Sequence, residues 1–391
     1  MKNKVDTIKN LTIVADSNIA SLDEFFNPVA LGQNTEQQVQ VIRVAGRDIN
    51  AQLLADVQPD VLLIRSVTSI YESLLSDNNS VKFVGSATIG TDHVDQKYLV
   101  ERNITFANAA GCSKHSVAQY VVTAILTLRP QYWAKSMTPL TVGIIGLGNI
   151  GSTLAQYASD LGWKILGYDP LLATSDINNA SLEQVLSQSD ILSLHVPLTD
   201  KKDTDTQGAV SISNNVSDYP TRHLINAETL ALMSPHTMLI NSARGPVIDA
   251  AALEADIDAT ERQVVLDVFE HEPQISESLL SKLAIATPHI AGYTLEGKLR
   301  GTQIIYDALC EKLAVLPVLS MQQLLPLNTY LWSELKENPD ILPKFYDIKK
   351  DDAALRSKIK SGKVKGSDFD QLRRDYHLRR EWQTSMISVP S

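Results

Sequence analysis

Short, mostly apolar runs, each ending in a polar or glycine-containing loop, recur along the chain with room for a helix between them. In residues 1–110 the runs are Leu11 to Ala15, Val61 to Ile64 and Val81 to Val84. They lead into Asp16-Ser17, Arg65-Ser66-Val67-Thr68 and Gly85 to Asp92. Apolar runs without alternation predict strands buried on both faces, as in a parallel sheet whose loops face a ligand. From His115 to Trp133 the pattern turns helical and mostly apolar, a crossover into a second body. Beyond it, Thr141 to Ile145 predicts a strand, Asn149 to Leu161 a helix and Lys164 to Tyr168 the next strand. The alternation continues through Ile191 to Leu194, Met238 to Ile240 and Val264 to Leu266. The fold class expected is therefore α/β, with two Rossmann-like or flavodoxin-like doubly wound lobes. Residues 200–222 form a stretch too polar to pack and are expected as a surface insertion without a role. After Leu316-Pro317 the chain becomes charged, helical and locally basic.

Composition narrows this picture. The chain has 391 residues, and its apolar fraction of 44% can fill more than one core. A formal charge of −10 argues against general affinity for nucleic acid or anionic membrane. Cys112 and Cys310, with no C-x-x-C between them, fit a reducing compartment. The segment Met1-Lys-Asn-Lys-Val5 lacks the apolar core of a signal peptide, so a cytoplasmic location is expected.

The turn Gly146-Leu147-Gly148-Asn149-Ile150-Gly151 stands between an apolar strand and an amphipathic helix. Glycines at that spacing are weak evidence alone, but here they sit where a dinucleotide needs them. The first permits the tight turn, the second admits the pyrophosphate and the third lets helix and strand close together. The anion then rests on a helix N-terminus. Asp169 ends the following strand, where a carboxylate binds ribose hydroxyls and repels a 2′-phosphate. Pro170, Leu171 and Leu172 offer no cation to offset that repulsion, so NAD is expected over NADP.

Three later stretches supply a cation, a carboxylate and an imidazole in order: Asn241 to Gly245, Asp267 to Pro273 and Thr287 to Tyr293. A 2-hydroxy acid losing a hydride needs this set, because its carboxylate must be held and its hydroxyl proton accepted. Arg244, Glu272 and His289, with the glycine turn upstream, resemble the D-isomer-specific 2-hydroxyacid dehydrogenase family. Arg65 to Thr68, Gly90 to Asp95, Pro288 to Gly297, Tyr346 to Arg356 and Arg379 to Trp382 carry the likeness over nearly the whole chain.

The resemblance implies that Arg244 binds the substrate carboxylate and that His289 exchanges the hydroxyl proton. It implies that Glu272 orients His289 and favours its charged form, with Glu270 a decoy. His195, His236 and His271 are read as bystanders. Ser242, Ala243, Asp267 and Gly292 match cofactor positions, as does Val196, where the family usually carries Thr. Ser66, Thr88 and Tyr293 match substrate positions, and Arg65 is a candidate for a substrate phosphate, as are Lys298, Arg300 and Arg356. No metal is implied.

The implied domains are a substrate lobe at 1–110 with the chain returning at 289–316, and an NAD-binding Rossmann domain at 111–288. A small α+β domain at 317–391 is implied to join a homodimer. An active site in the cleft between lobes is expected. The implied reaction is NAD-dependent oxidation of a phosphorylated four-carbon 2-hydroxy acid toward pyridoxal phosphate. Action on another acid such as 3-phospho-D-glycerate, and a non-catalytic NAD-sensing role, stay open as alternatives.

Overall fold

In a computed structural model the structure describes residues 10–32, 38–133, 139–172, 179–201 and 216–383. Contacts divide the chain into two units, one of Met1–Ser113 with Leu295–Leu327 and one of Lys114–Thr294 with Asn328–Ser391.

The first unit is built on five parallel strands: β1 (Asn10–Asp16), β2 (Gln38–Val44), β3 (Val61–Ile64), β4 (Phe83–Ser86) and β5 (Thr105–Asn108). Their order is β2-β1-β3-β4-β5, the flavodoxin-like winding. β3 and β4 are buried along their whole length, which is why β3 reads as an unbroken apolar run. β2 and β5 are edge strands of only partial burial, and their mixed composition kept them from being foreseen. One face is closed by the helix Leu295–Leu313, whose Leu299, Ile305, Tyr306 and Leu309 share a core with Ile13, Leu63 and Phe83.

The second unit carries six parallel strands: β6 (Thr141–Ile145), β7 (Lys164–Tyr168), β8 (Ile191–Leu194), and later β11 (Met238–Asn241), β12 (Val264–Leu266) and β14 (Ile285–Ala286). Between them lie the two-residue strands β9 (Asp200–Lys201), β10 (Val216–Ser217) and β13 (Ile275–Ser276). The sheet order is β14-β12-β11-β8-β6-β7, so the winding reverses at β6 and the crevice at the carboxyl ends of β6 and β8 is the switch point. β9 and β10 pair in parallel at the ends of the polar stretch, and residues 202–215 of the expected insertion lie outside the described residues.

The tail, expected as a body of its own, shares the core of the second unit. Trp332, Phe345, Tyr346 and Trp382 pack in one cluster with Tyr120, Leu154 and Tyr157. Trp332 and Trp382 stack with ring centroids 5.4 Å apart, and Tyr157 meets Trp332 edge-on at 5.2 Å. A strand of the tail, β15 (Lys363–Val364), pairs antiparallel with β13. These aromatic residues are too few along the sequence to make a periodic signal, and only folding gathers them.

Candidate active site

The turn after β6 has the geometry of a phosphate cradle. Gly146 has φ +92°, a conformation that side chains avoid, and a Cβ there would stand 2.6 Å from the His195 carbonyl oxygen. A Cβ on Gly151 would meet the Gly146 carbonyl oxygen at 2.0 Å, so the helix Asn149–Asp160 can close on the turn only without one. Gly148, at the N-cap of that helix, is exposed, and the space where its Cβ would stand is open to 4 Å. Asn149 is exposed and Ile150 half-buried in the first turn of the helix. Val196 packs against the same turn, its Cγ1 3.0 Å from the position of a Gly146 Cβ.

Asp169, at the end of β7, braces the turn as well as facing outward. Its carboxylate accepts from the Leu147 amide at 2.9 Å and from the Leu171 amide at 3.0 Å. At the end of β11, the Ser242 hydroxyl is buried with no hydrogen-bond partner. An open glycine over a helix N-terminus, a carboxylate one strand away and an orphaned hydroxyl fit a dinucleotide.

Arg244, Glu272 and His289 stand on the loops that follow β11, β12 and β14, neighbours in the sheet. The Arg244 loop is fixed by Asn241, whose carboxamide accepts from the Ala243 amide at 3.0 Å and donates to the Arg244 carbonyl at 2.9 Å. The Arg244 Nη1 donates to the Ala243 carbonyl at 2.8 Å. Gly245 then passes so close that a Cβ would lie 1.9 Å from the Phe269 carbonyl oxygen. Arg244 and Glu272 thus stand on loops in direct backbone contact. Asn241 and Gly245 lie in the same short run as Arg244, yet nothing in their spacing shows what they touch.

His289 Nδ1 lies 2.9 Å from Glu272 Oε2, and Glu272 Oε1 accepts the Phe269 amide at 2.8 Å. A carboxylate only accepts, so Nδ1 carries the proton and Nε2 is left as the basic nitrogen. Burial alone would raise the Glu272 carboxyl, but His289, the Phe269 amide and Arg373 together hold it below the ordinary value. His289 has φ +57°, a strained conformation for a side chain that costs about 1–3 kcal/mol.

Asp267 holds the strained segment in place. Its buried carboxylate accepts from Thr287 Oγ1 at 2.6 Å and from the Ile290 and Ala291 amides at 2.8 and 2.9 Å, while its carbonyl accepts the His289 amide at 2.8 Å. Burial raises its pKa, and these partners with His289 limit the rise. Gly292 and Tyr293 follow directly, both half-buried. Glu270, by contrast, is taken up elsewhere, by His223 Nε2 at 2.5 Å and the Ala250 amide at 2.9 Å.

In the first unit, Arg65 and exposed Ser66 follow β3, and Thr88 follows β4 with its hydroxyl 2.9 Å from Ser86 Oγ. Two other phosphate candidates are structural. Arg356 pairs with Asp352 at 2.9 Å and donates to the Leu283 carbonyl at 2.9 Å and that of Leu280. Arg300 donates to the Cys112 carbonyl.

The tail supplies two arginines that sequence reasoning passed over or read only as part of a motif. Arg379 donates to the Ile290 carbonyl at 3.0 Å and to that of Ala291, beside His289, and lies 4.3 Å above the Tyr346 ring. Burial works against its charge, and Tyr346, Tyr376 and Asp351 outweigh that. Arg373 reaches the Tyr293 hydroxyl at 3.3 Å.

A family model described as "D-isomer specific 2-hydroxyacid dehydrogenase, NAD binding domain" matches residues 114–206 and 204–291. A model described as a domain of unknown function (DUF3410) matches residues 318–390. The erythronate-4-phosphate dehydrogenase of Psychrobacter cryohalolentis is 93% identical over 384 residues, covering 98% of this chain and 100% of the relative. That of Psychrobacter arcticus is 92% identical over 376 residues, covering 96% and 100%. The solved NAD+-bound 3-phosphoglycerate dehydrogenase of Entamoeba histolytica aligns with a TM-score of 0.60 at 21% identity, covering 78% of this chain and 96% of that one. At that identity the structural likeness carries the fold alone.

Proposed function

The chain belongs to the D-isomer-specific 2-hydroxyacid dehydrogenases, within their erythronate-4-phosphate dehydrogenase branch, and from that premise we propose its substrate and the work of each residue. It is an NAD-dependent dehydrogenase, and the substrate proposed is 4-phospho-D-erythronate, oxidised at C2 to 2-oxo-3-hydroxy-4-phosphobutanoate for pyridoxal phosphate biosynthesis. The observation that carries the mechanism is the His289–Glu272 pair at 2.9 Å, which leaves Nε2 basic.

NAD, when bound, would supply the acceptor for the hydride from C2. Gly146, Gly148 and Gly151 would let its pyrophosphate approach the helix N-terminus, and Asp169 would hold the ribose hydroxyls. Asn149, Ile150, Val196, Ser242, Ala243, Asp267 and Gly292 are proposed to complete that contact. Arg244 is proposed to hold the substrate carboxylate through its planar fork. His289 Nε2 takes the C2 hydroxyl proton as the carbonyl forms, and returns it in the reverse direction. Glu272 keeps the imidazole in the right tautomer and stabilises its charge once the proton arrives. Arg65, Ser66, Thr88 and Tyr293 are proposed as further substrate contacts.

We also propose a homodimer joined by the tail, to be read as twice the chain mass of 43.0 kDa in analytical ultracentrifugation. No helix among the described residues is long and apolar enough to cross a membrane. Two buried free cysteines suit the proposed cytoplasmic location.

The test is steady-state turnover with NAD on 4-phospho-D-erythronate, D-erythronate and 3-phospho-D-glycerate, with the oxo acid trapped. A clear preference for the first is expected. Preference for another acid overturns the substrate, and NAD binding without turnover of any acid would return the non-catalytic reading.

A further inference from the structure

Resting on that reading, we propose that Arg373, on the tail helix Gly366–Arg374, is an additional substrate-binding residue and takes the phosphate of the phosphorylated 2-hydroxy acid. A guanidinium carries five N–H donors in a rigid fork. Arg373 uses few of them. Nη2 donates to the Tyr293 hydroxyl at 3.3 Å, while Nη1 lies 3.8 Å from Asp370, beyond hydrogen-bond reach. Nε is buried and has no partner.

The group is nevertheless held in one place. Its central carbon lies 5.9 Å from the Tyr293 ring centre and 5.8 Å from that of fully buried Phe369. Phe369 also meets Phe269, on the Glu272 loop, edge-on at 6.4 Å. Arg373 is therefore a fixed cation on the ring of a proposed substrate residue, and its charge is felt by Glu272.

Two other arginines of the tail are engaged by the fold, Arg356 by Asp352 and two carbonyls and Arg379 by the Ile290 and Ala291 carbonyls. A buried donor left unpaired is costly, and it persists where a ligand completes it. The oxygens of a phosphate suit a guanidinium fork, and Arg244 already accounts for the carboxylate. The spare donors of Arg373 leave the phosphate as the anion it would bind.

The experiment uses the full chain, wild type, Arg373→Met and Arg373→Lys, each checked for an unchanged melting temperature. kcat/KM is measured for 4-phospho-D-erythronate and D-erythronate, and inorganic phosphate is titrated as a competitive inhibitor. The preference for the phosphorylated acid is expected to fall about 10- to 100-fold in Arg373→Met, through KM, with partial recovery in Arg373→Lys. The inhibition constant for phosphate should rise in step. A parallel loss on both substrates, with phosphate inhibition unchanged, would overturn the proposal and leave Arg373 a support for Glu272. An unchanged preference would overturn it too. If the wild type prefers 3-phospho-D-glycerate, the substrate assignment fails, and the same contrast against D-glycerate decides the role of Arg373. If it prefers an unphosphorylated acid, both fail.

Discussion

Replacing Glu272 by Gln keeps the length of the side chain and changes what it can accept. In the native arrangement both carboxylate oxygens accept a hydrogen bond, Oε1 from the Phe269 amide at 2.8 Å and Oε2 from His289 Nδ1 at 2.9 Å. A carboxamide has one oxygen to offer. If that oxygen faces Phe269, the amide nitrogen faces Nδ1 and drives the ring proton to Nε2, where it blocks the base. The same tautomer error in a serine-protease triad costs about 10⁴-fold in kcat. If the oxygen faces His289 instead, the amide nitrogen opposes the Phe269 N–H, and the mismatch costs about 1–3 kcal/mol. In either case the protonated imidazole loses its counter-charge. Two unit charges about 4 Å apart in an effective dielectric of about 20 attract by about 4 kcal/mol. Solvent screens part of that, since the two side chains keep 33% and 23% of their exposure. With tenfold in rate for about 1.4 kcal/mol, kcat is expected to fall about 10²- to 10⁴-fold. NADH fluorescence titration should give an unchanged cofactor affinity, because Glu272 is not among the cofactor contacts. Initial rates by NADH absorbance in both directions measure the fall. A kcat within about threefold of wild type would refute the reasoning.

Gly148→Ala and Gly151→Ala should separate cofactor binding from folding. The first adds a methyl into open space, so the melting temperature should hold while NAD affinity falls; the second drives a Cβ to 2.0 Å from a backbone oxygen and should lower both. Equal melting temperatures would contradict this. Asp169→Asn should raise the Michaelis constant for NAD while leaving kcat nearly intact, and should narrow the preference over NADP; an unchanged constant would remove Asp169 from the cofactor site. Arg379→Met leaves the Ile290 and Ala291 carbonyls without their donor and Asp351 without its cation, which should destabilise the protein by about 3–5 kcal/mol in a denaturant titration. A loss below about 1 kcal/mol would mean that the tail does not hold the His289 loop. Burial pushes the His195 imidazole down to about 3, so the unfolded chain binds a proton there that the folded one refuses. Stability from this group is whole above the unfolded value of about 6.5 and is lost as pH falls from there toward 3. His195→Gln should flatten that acid slope in chemical denaturation, and an identical slope would show that other groups set it.

The sequence by itself determined the α/β class, the strands buried on both faces and the glycine turn with Asp169, and it marked Arg244, Glu272 and His289 as the candidate trio. Those features are local: apolar runs report two-sided burial, glycines report a backbone that no side chain permits, and the trio falls in short runs with fixed neighbours. Edge strands β2 and β5 escaped because burial on an edge is partial and the pattern mixed. The sequence had already set Glu272 apart from Glu270, and the tertiary structure shows what each acid meets, His223 for Glu270 and His289 for Glu272. Tertiary structure alone brought Arg379 to the Ile290 carbonyl from 89 residues away and Arg373 to the Tyr293 hydroxyl from 80. Contacts of that span leave no spacing in the chain to read. They follow from shape and from the need of every buried donor and carbonyl for a partner, and that need is settled only when the whole chain has packed.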